Sequence, residues 1–544
     1  MRYNYQKLQN GSDIRGIAME GIAGEAVNLG QEETMRLTKG FVLWLSEKLQ
    51  KAPQDLTISV GHDSRLSAES LKSAILMALQ EIGATVYDCG LASTPAMFMS
   101  TIFEDYRCDG AIMITASHLP FNRNGFKYFD RDGGLNKEDI SHIIDCAQCE
   151  NLDDHFDRPG CAENGSDAGA GNDGCDKSAP EAGSKTGSVH KKDLIASYAA
   201  HLREKIIAEV ARPDVPDKPL AGLKIVVDAG NGAGGFYAEQ ILAPLGADVS
   251  ASQFLEPDGH FPNHQPNPEN KEAMESISRR VVECGADFGL IFDTDVDRSS
   301  AVDKNGREIS RNAIVAMAAA LIAVEHPGTT VVTDSITSDE LTVYLEDCLG
   351  LKHLRFKRGY KNVINKSIAL NKEGIDSQLA IETSGHAAYK ENYFLDDGAY
   401  LATKIVIKAA QLAQKGVGID VLLASLAEPK EALEVRFPIS GEEEVRFPIS
   451  GEDFAAYGEQ VLADLKTWAS APEQAARGFS LVEPNYEGVR LNVRNADTTG
   501  WCLLRKSLHD PIMPLNVEVS QGSCENILNE IKDFLRKYTQ IVVK

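Results

Sequence analysis

Residues 111–129 read Ala111-Ile112-Met113-Ile114-Thr115-Ala116-Ser117-His118-Leu119-Pro120-Phe121-Asn122-Arg123-Asn124-Gly125-Phe126-Lys127-Tyr128-Phe129. An apolar, β-prone run ends in a turn of small residues that presents a serine beside a histidine. Pro120 and Gly125 keep the next segment in a loop, and Lys127 enters a second β-like run. A serine at a strand end, with an imidazole beside it and an ammonium further on, suits phosphate or acyl chemistry. The pattern G-x-S-x-G of the hydrolase nucleophile elbow has no match here. Taken alone, the stretch also fits a Ser-His pair in an ordinary loop.

Outward from that strand, residues 56–60 and 84–87 are strand-like and residues 68–79 are helical. This β/α alternation argues for a mostly parallel sheet. A chain of 544 residues exceeds one hydrophobic core and divides into several domains. With 55 basic and 80 acidic residues, the net charge of −25 disfavours nucleic acid and anionic membranes as partners. An anionic substrate therefore needs a local basic focus. Residues 1–20 show no signal-type apolar core. The longest apolar run, residues 313–324, is too short for a bilayer and reads as a buried helix. Ten scattered cysteines, among them Cys146 and Cys149 of a lone C-x-x-C, read as reduced thiols of a cytoplasmic protein.

Residues 151–190 are small, polar and acidic, and read as a flexible insertion. Leu194, Tyr198, Leu202 and Ile206 recur at four-residue spacing, which marks an amphipathic helix opening a second domain. A strand over residues 223–228 leads into Gly230-Asn231-Gly232-Ala233-Gly234-Gly235, a match to G-x-G-x-x-G. The acidic residue that a dinucleotide site requires has only Glu256 and Asp258 as candidates, both in a Pro/Gly loop. The glycines read instead as a close-packed strand-to-helix turn. A strand over residues 286–292 runs into Asp293-Thr294-Asp295-Val296-Asp297-Arg298. Carboxylates two apart on an extended segment share one side, and a hard divalent cation relieves their repulsion. Arg298 at the sixth position and Lys304 at the twelfth exclude an EF-hand. Residues 434–442 recur as residues 444–452, too short a period for a solenoid unit.

Thr115-Ala-Ser-His-Leu-Pro120 with Asn124-Gly125-Phe-Lys127 resembles the active-site loop of the α-D-phosphohexomutases, the phosphoglucomutase/phosphomannomutase family, whose serine carries phosphate. Asp13-Ile-Arg15-Gly16 resembles the family's N-terminal turn, and the resemblance brings Arg15 toward the reacting phosphate. Asp63-Ser-Arg65 and Ser93-Thr-Pro95 also match family positions and are assigned to structure. The resemblance implies that Asp293, Asp295 and Asp297 hold Mg²⁺ against the phosphate on Ser117, and that Arg298 neutralises that phosphate. It makes His118 and Lys127 candidates for general acid and base. Glu382-Thr-Ser384-Gly-His386 resembles the sugar-binding loop, with Ile381 in place of the usual glycine, and Gly359 and Tyr360 belong to the neighbouring loop. Arg505-Lys-Ser507-Leu-His509-Asp-Pro511 resembles the phosphate-binding loop, with Leu508 and His509 departing from the family's residues. Arginine there offers a bidentate fork to phosphate, and Ser507 and His509 add donors.

The resemblance implies three α/β domains with mixed, mostly parallel sheets and a smaller C-terminal α+β domain around a central cleft. Expected bounds are 1–150, 191–303, 304–430 and 431–544, with the insertion over 151–190. The expected activity interconverts glucose or mannose 1- and 6-phosphates through phosphoserine and a bound 1,6-bisphosphate. Mg²⁺ is the expected metal and glucose 1,6-bisphosphate the activator; sugar phosphates are the partners, and the chain is a monomer or homodimer. Alternatives are a phosphoglucosamine mutase, an aspartyl-phosphate phosphatase using Asp293, and a non-catalytic sugar-phosphate-binding protein.

Overall fold

The computed structural model describes residues 4–156, 186–210, 212–439, 451–507 and 511–543. The chain forms two compact units: Met1–Ser299 with Lys304–Gly306 and Asp397–Thr403, and Ser300–Asp303 with Arg307–Asp396 and Lys404–Lys544. Most of the 151–190 insertion, most of the second copy of the 434–442 repeat, and His509 lie outside the described residues.

The first unit begins with a mixed sheet. Its strands are β1 (Gln9–Asn10), β2 (Asp13–Ile17), β3 (Thr57–His62), β4 (Thr85–Leu91), β5 (Gly110–Ile114), β6 (Arg123–Asp130), β7 (Gly133–Gly134) and β8 (Val189–Lys191). The order is β1-β2-β6-β5-β3-β4-β8, with β7 paired to β6. Parallel pairing is confined to β5-β3-β4-β8, a smaller share than the β/α alternation suggests. The reason is the short link over residues 115–122, which cannot make a crossover and so returns β6 antiparallel to β5. Residues 189–190, expected in the insertion, belong to β8 and pair with β4. Helices α1 (Gln31–Leu49), α2 (Ala68–Ile82), α3 (Thr94–Met99) and α4 (Lys137–Gln148) accompany this sheet. Glu33 caps α1 by accepting from Gly30 N at 2.9 Å, and α1 seats Phe41 against Tyr128 at 4.7 Å between ring centroids.

Helix α5 (Leu194–Glu209) buries Leu194, Tyr198, Leu202 and Ile206, the stripe expected of it. Beyond it, β9 (Ile225–Asp228) and β10 (Phe288–Phe292) pair in parallel, with Asp228 opposite Ile291. Between them lies α6 (Lys271–Cys284), capped by Asn270, whose Oδ1 accepts from Ala273 N at 3.0 Å. The glycine-rich turn after β9 is close-packed. A Cβ on Gly232 would stand 2.7 Å from Thr294 O, and Ala233 N donates to that oxygen at 2.8 Å. The G-x-G-x-x-G match is thus the floor beneath the aspartate loop.

The second unit contains the antiparallel pair β11 (Ser299–Asp303) and β12 (Glu308–Ile309). Helix α7 (Asn312–Ile322) is buried from Ile314 to Ile322, while Val324 beyond its end is exposed. The sheet that follows has the order β14-β13-β15-β16-β17. It is formed by β13 (Thr330–Thr333), β14 (Lys352–Arg355), β15 (Leu379–Ile381), β16 (Ala387–Tyr389) and β17 (Leu395–Asp396), with α8 (Asp339–Val343) and α9 (Tyr360–Lys372). Helix α10 (Gly398–Ala413) leads to the β-rich C-terminal part. There β18 (Glu431–Pro438), β19 (Phe479–Leu481), β20 (Val489–Arg494), β21 (Thr499–Leu504) and β22 (Ile512–Gln521) make an antiparallel sheet of order β18-β22-β21-β20-β19. Helices α11 (Gly451–Ala469), α12 (Pro472–Ala476) and α13 (Cys524–Leu535) complete it. Ile527, Ile531 and Phe534 of α13 share its core with Val517 and Leu515. Among the described residues, no helix is long and apolar enough to cross a membrane.

Within the first unit, Asp397 buries its carboxylate against Tyr198. The phenol donates to both oxygens at 2.6 and 2.7 Å, and Tyr400 N donates at 2.8 Å. The next residue, Gly398, donates its N–H to Val296 O at 3.1 Å and so presses on the aspartate loop. Tyr198→Phe removes one donor from a buried carboxylate and should cost about 1–3 kcal/mol in urea denaturation. A loss below a few tenths would show that water replaces the phenol.

Candidate active site

Ser117 follows β5 with φ +48, a left-handed backbone that a serine adopts only when its surroundings impose it. The imposing group is Arg65, 2% exposed. Its guanidinium donates to the carbonyls of Leu119 at 2.6 Å, Pro120 at 2.8 Å and Arg123 at 3.0 Å, and also to that of Ser117. Asp63 answers the charge at 3.4 Å and accepts from Thr115 Oγ1 at 2.7 Å; Thr115 Oγ1 in turn accepts from Ser117 N at 2.9 Å. Arg15 grips the same loop by donating to Thr115 O at 2.6 Å, and pairs with Asp13 at 2.7 Å. Burial holds the Asp63 carboxyl above and the Arg65 guanidinium below their ordinary ranges.

This loop meets the aspartate loop. Ser117 Oγ donates to Asp293 Oδ2 at 2.9 Å and accepts from Arg298 Nη2 at 3.2 Å. Nδ1 of His118 lies 3.3 Å from Ser117 Oγ and accepts from Arg298 Nη2 at 2.8 Å. Accepting from a guanidinium requires a lone pair on Nδ1, so a neutral His118 carries its proton on Nε2. Lys127, on β6, pairs with Asp297 and lies 3.8 Å from Asp295. Residues 293–298 are a turn rather than the extended segment expected from their spacing. The chain doubles back through Val296 at φ +67, and this reversal makes the three carboxylates converge.

Asp293, Asp295 and Asp297 are fully buried, and one oxygen of each lies within 4.8 Å of the others. Burial, then the Asp297 and Asp295 charges, push the Asp293 carboxyl well above the ordinary carboxylate range, against the pull of Arg298. Thr94 Oγ1 donates to Asp295 Oδ2 at 2.5 Å, and Asp295 Oδ1 is buried with no hydrogen-bond partner. An all-oxygen donor set with an orphaned oxygen fits a hard divalent cation.

In the second unit, Glu382, Ser384 and His386 follow β15. Glu382 accepts from Gly359 N at 2.7 Å, and its carboxyl is pushed up to about 7 by burial and Asp334, opposed by His386 and Arg358. His386 lies 2.5 Å from Asp396 and stacks on Tyr360 at 5.3 Å. Ser384 Oγ is buried without a partner. Arg505, 8% exposed, has an Nε without a partner. Burial and the nearby Arg358 charge hold its guanidinium below the ordinary range. Two arginines repelling each other in a half-dry setting suit an anion such as phosphate. Ser507 donates its N–H to Ile512 O at 3.1 Å.

Arg65 and Thr94, which their sequence matches assign to structure, each touch the serine loop or the aspartates. Sequence reading passed over Gln265 and Asn267. Gln265 donates to His118 O at 2.7 Å, and Asn267 accepts from Arg298 Nη1 at 3.1 Å. Nothing local to a Pro/Asn-rich loop announces contact with an arginine thirty residues away.

Family descriptions match most of the chain. "Phosphoglucomutase/phosphomannomutase, alpha/beta/alpha domain I" matches residues 6–152, domain II residues 196–306 and domain III residues 310–428. A phosphomannomutase/phosphoglucomutase of Pseudomonas syringae is 27% identical over 533 residues, covering 96% of this chain and 94% of its own. A phosphoglucomutase/phosphomannomutase of Thermococcus kodakarensis is 30% identical over 413 residues, 75% of this chain and 78% of its own. A family protein of solved structure from Burkholderia thailandensis shares the fold at TM-score 0.71 and 23% identity, over 97% of this chain and 96% of that one.

Arg65→Met, which keeps volume and removes the fork, should leave Asp63 buried without its countercharge and cost about 3–5 kcal/mol in denaturant unfolding. An unchanged midpoint and slope would show that the serine loop holds its shape unaided.

Proposed function

This chain belongs to the phosphoglucomutase/phosphomannomutase family and is a hexose-phosphate mutase, and from that premise we propose how its residues perform the reaction. Phosphoserine 117 donates its phosphoryl group to hexose 1- or 6-phosphate, the 1,6-bisphosphate turns over, and Ser117 takes back the other phosphoryl group. The observation that carries this reading is Ser117 Oγ lying between Asp293 Oδ2 at 2.9 Å and Arg298 Nη2 at 3.2 Å. In an aspartyl-phosphatase the serine loop would have no part; here it adjoins the aspartates.

In each half-reaction one P–O bond at Ser117 breaks or forms as the other forms or breaks at the sugar. In the first, the sugar hydroxyl gives up a proton and Ser117 Oγ receives one as it leaves; in the second, Ser117 Oγ gives up the proton and the departing sugar oxygen receives one. Lys127 and His118 are the titratable groups assigned to these transfers. Arg298 spreads the charge of the transferring group, and Arg15 holds the loop that carries it. Mg²⁺, held by Asp293, Asp295, Asp297 and the Ser117 phosphate, would supply neutralisation of the phosphoryl oxygens. Glucose 1,6-bisphosphate acts as activator by phosphorylating a Ser117 left bare when the intermediate escapes.

Glu382 and Ser384 take adjacent sugar hydroxyls, O3 and O4, and His386, Gly359 and Tyr360 shape that loop. These contacts are blind to the configuration at C2, so glucose and mannose phosphates are both substrates. Arg505, Ser507 and His509 hold the phosphate that is not being transferred. The expected bounds 1–150, 191–303, 304–430 and 431–544 belong to the same proposal, with β8 returned to the first domain. Free cysteines among the described residues support a reducing, cytoplasmic setting.

Peptide mapping should find acid-stable phosphate on Ser117, and excess chelator should abolish turnover of glucose and mannose 1-phosphates until Mg²⁺ is restored. Base-labile phosphate on Asp293, or full turnover without metal, would overturn the mechanism. Arg505→Ala should lower kcat/KM by about 2–4 kcal/mol while Ser117 still takes phosphate from glucose 1,6-bisphosphate. An unchanged kcat/KM in a folded variant would remove Arg505 from the site.

A further inference from the structure

Asp228 closes β9 in the layer next to β10, and its carboxylate is fully buried. Gly230 N donates to its Oδ1 at 2.9 Å and Gln253 Nε2 to its Oδ2 at 2.7 Å. His264 Nε2 lies 3.1 and 3.0 Å from the same two oxygens. As a carboxylate Asp228 only accepts, so Nε2 is the donor. The other ring nitrogen, Nδ1, lies 3.0 Å from Gln265 O, and a carbonyl only accepts. Both nitrogens therefore carry hydrogen: His264 is an imidazolium, buried on a carboxylate.

The loop that begins at His264 reaches the reacting groups. Gln265 donates to His118 O at 2.7 Å. Asn267 Oδ1 accepts from Arg298 Nη1 at 3.1 Å, and Glu269 lies 3.7 Å from the same nitrogen. The loop ends at Asn270, the cap of α6. Pro266 packs on Gly230, where a Cβ would approach it to 2.8 Å. One end of the loop is thus tied by a helix cap and the other by an ion pair, while its middle grips Arg298.

We propose that Asp228 and His264 form a positioning pair that, through the loop from Gln265 to Asn267, holds Arg298 and the His118 backbone in the geometry of phosphoryl transfer. This rests on the proposed role of Ser117 and Arg298. Neither Asp228 nor His264 touches substrate; they act through the loop.

The charged groups facing His264 are Asp228 on β9 and Glu272 in the first turn of α6. Desolvation alone would lower the imidazole's pKa, but the bonds to Asp228 and Gln265 and the two negative charges hold it above the ordinary histidine value. A raised folded value means the stabilisation from the imidazolium is fully present below the ordinary histidine pKa and is lost as pH climbs through the raised value. Loss of the proton leaves either Asp228 or Gln265 O without its donor and loosens the loop.

The test compares wild type, His264→Gln and Asn267→Ala, each as the full chain. Glutamine keeps one N–H for Asp228 but has neither the charge nor the second donor. Asn267→Ala leaves the ion pair intact and removes the acceptor opposite Arg298, so it remains informative where His264→Gln folds poorly. Both variants should lose about ten- to hundredfold in kcat with KM nearly unchanged, as expected for misplaced reacting groups. The fall of wild-type kcat toward alkaline pH that is due to His264 should be absent from both. Proton NMR should show two exchange-protected imidazole N–H signals in wild type and Asn267→Ala, both missing from His264→Gln. A folded variant of either kind with wild-type kcat and pH profile, or a single protected N–H in wild type, overturns the inference. Absence of phosphate on Ser117 by peptide mapping would instead count against the proposed mechanism.

Discussion

The structure of the first unit is governed by the burial of three carboxylates, Asp293, Asp295 and Asp297, within one short turn. Each loses its hydration and gains two like-charged neighbours, an arrangement no chain reaches without compensation. Arg298 and Lys127 bring two positive charges, and Thr94 brings a hydroxyl. Two cations against three carboxylates leave a negative remainder, to which a phosphoryl group adds nearly two more charges. A divalent cation would offset most of that total. The surrounding architecture serves the same turn: Gly232 admits the Thr294 backbone, Gly398 anchors Val296, and Val296 accepts a left-handed φ.

Strain and charge sit together at the ends of parallel strands. Asp63 follows β3, Ser117 follows β5, Asp228 closes β9 and Asp293 follows β10. Carboxyl ends of parallel strands are where α/β sheets place ligands, because loops diverge there above a rigid floor. Ser117 is held left-handed not by its own turn chemistry but by Arg65, which gathers carbonyls that a loop would otherwise direct to water. The serine hydroxyl is thereby aimed at Asp293, a preorganisation that the proposed phosphoryl transfer would use.

The second unit meets a different requirement. Glu382 and Ser384 are buried polar groups, one with a carboxyl displaced toward neutrality and the other with a hydroxyl lacking a partner. Such groups persist where a polar ligand completes them. Arg505 is likewise buried close enough to Arg358 to feel its charge, and its Nε has no partner. The sugar phosphate proposed as substrate would offer hydroxyls to Glu382 and Ser384 and an anion to Arg505.

Chemistry of local origin can be read from the chain alone. A β-prone run ending at Ser117, three aspartates at alternate positions and a glycine-rich turn are legible because strand period, charge repulsion and glycine's tolerance act over a few residues. The apolar stripe of α5 was legible for the same reason. Tertiary structure decided what depends on distant partners. It set the direction of β6, because the length of a connection and not the strand's own pattern chooses parallel or antiparallel pairing. It turned residues 293–298 back on themselves, since that reversal needs support from Gly232 and Gly398, which lie far off in sequence. It also gave Arg65, Thr94 and His264 their partners. A buried ion or hydroxyl takes its meaning from the atoms it faces, and sequence spacing holds no record of those.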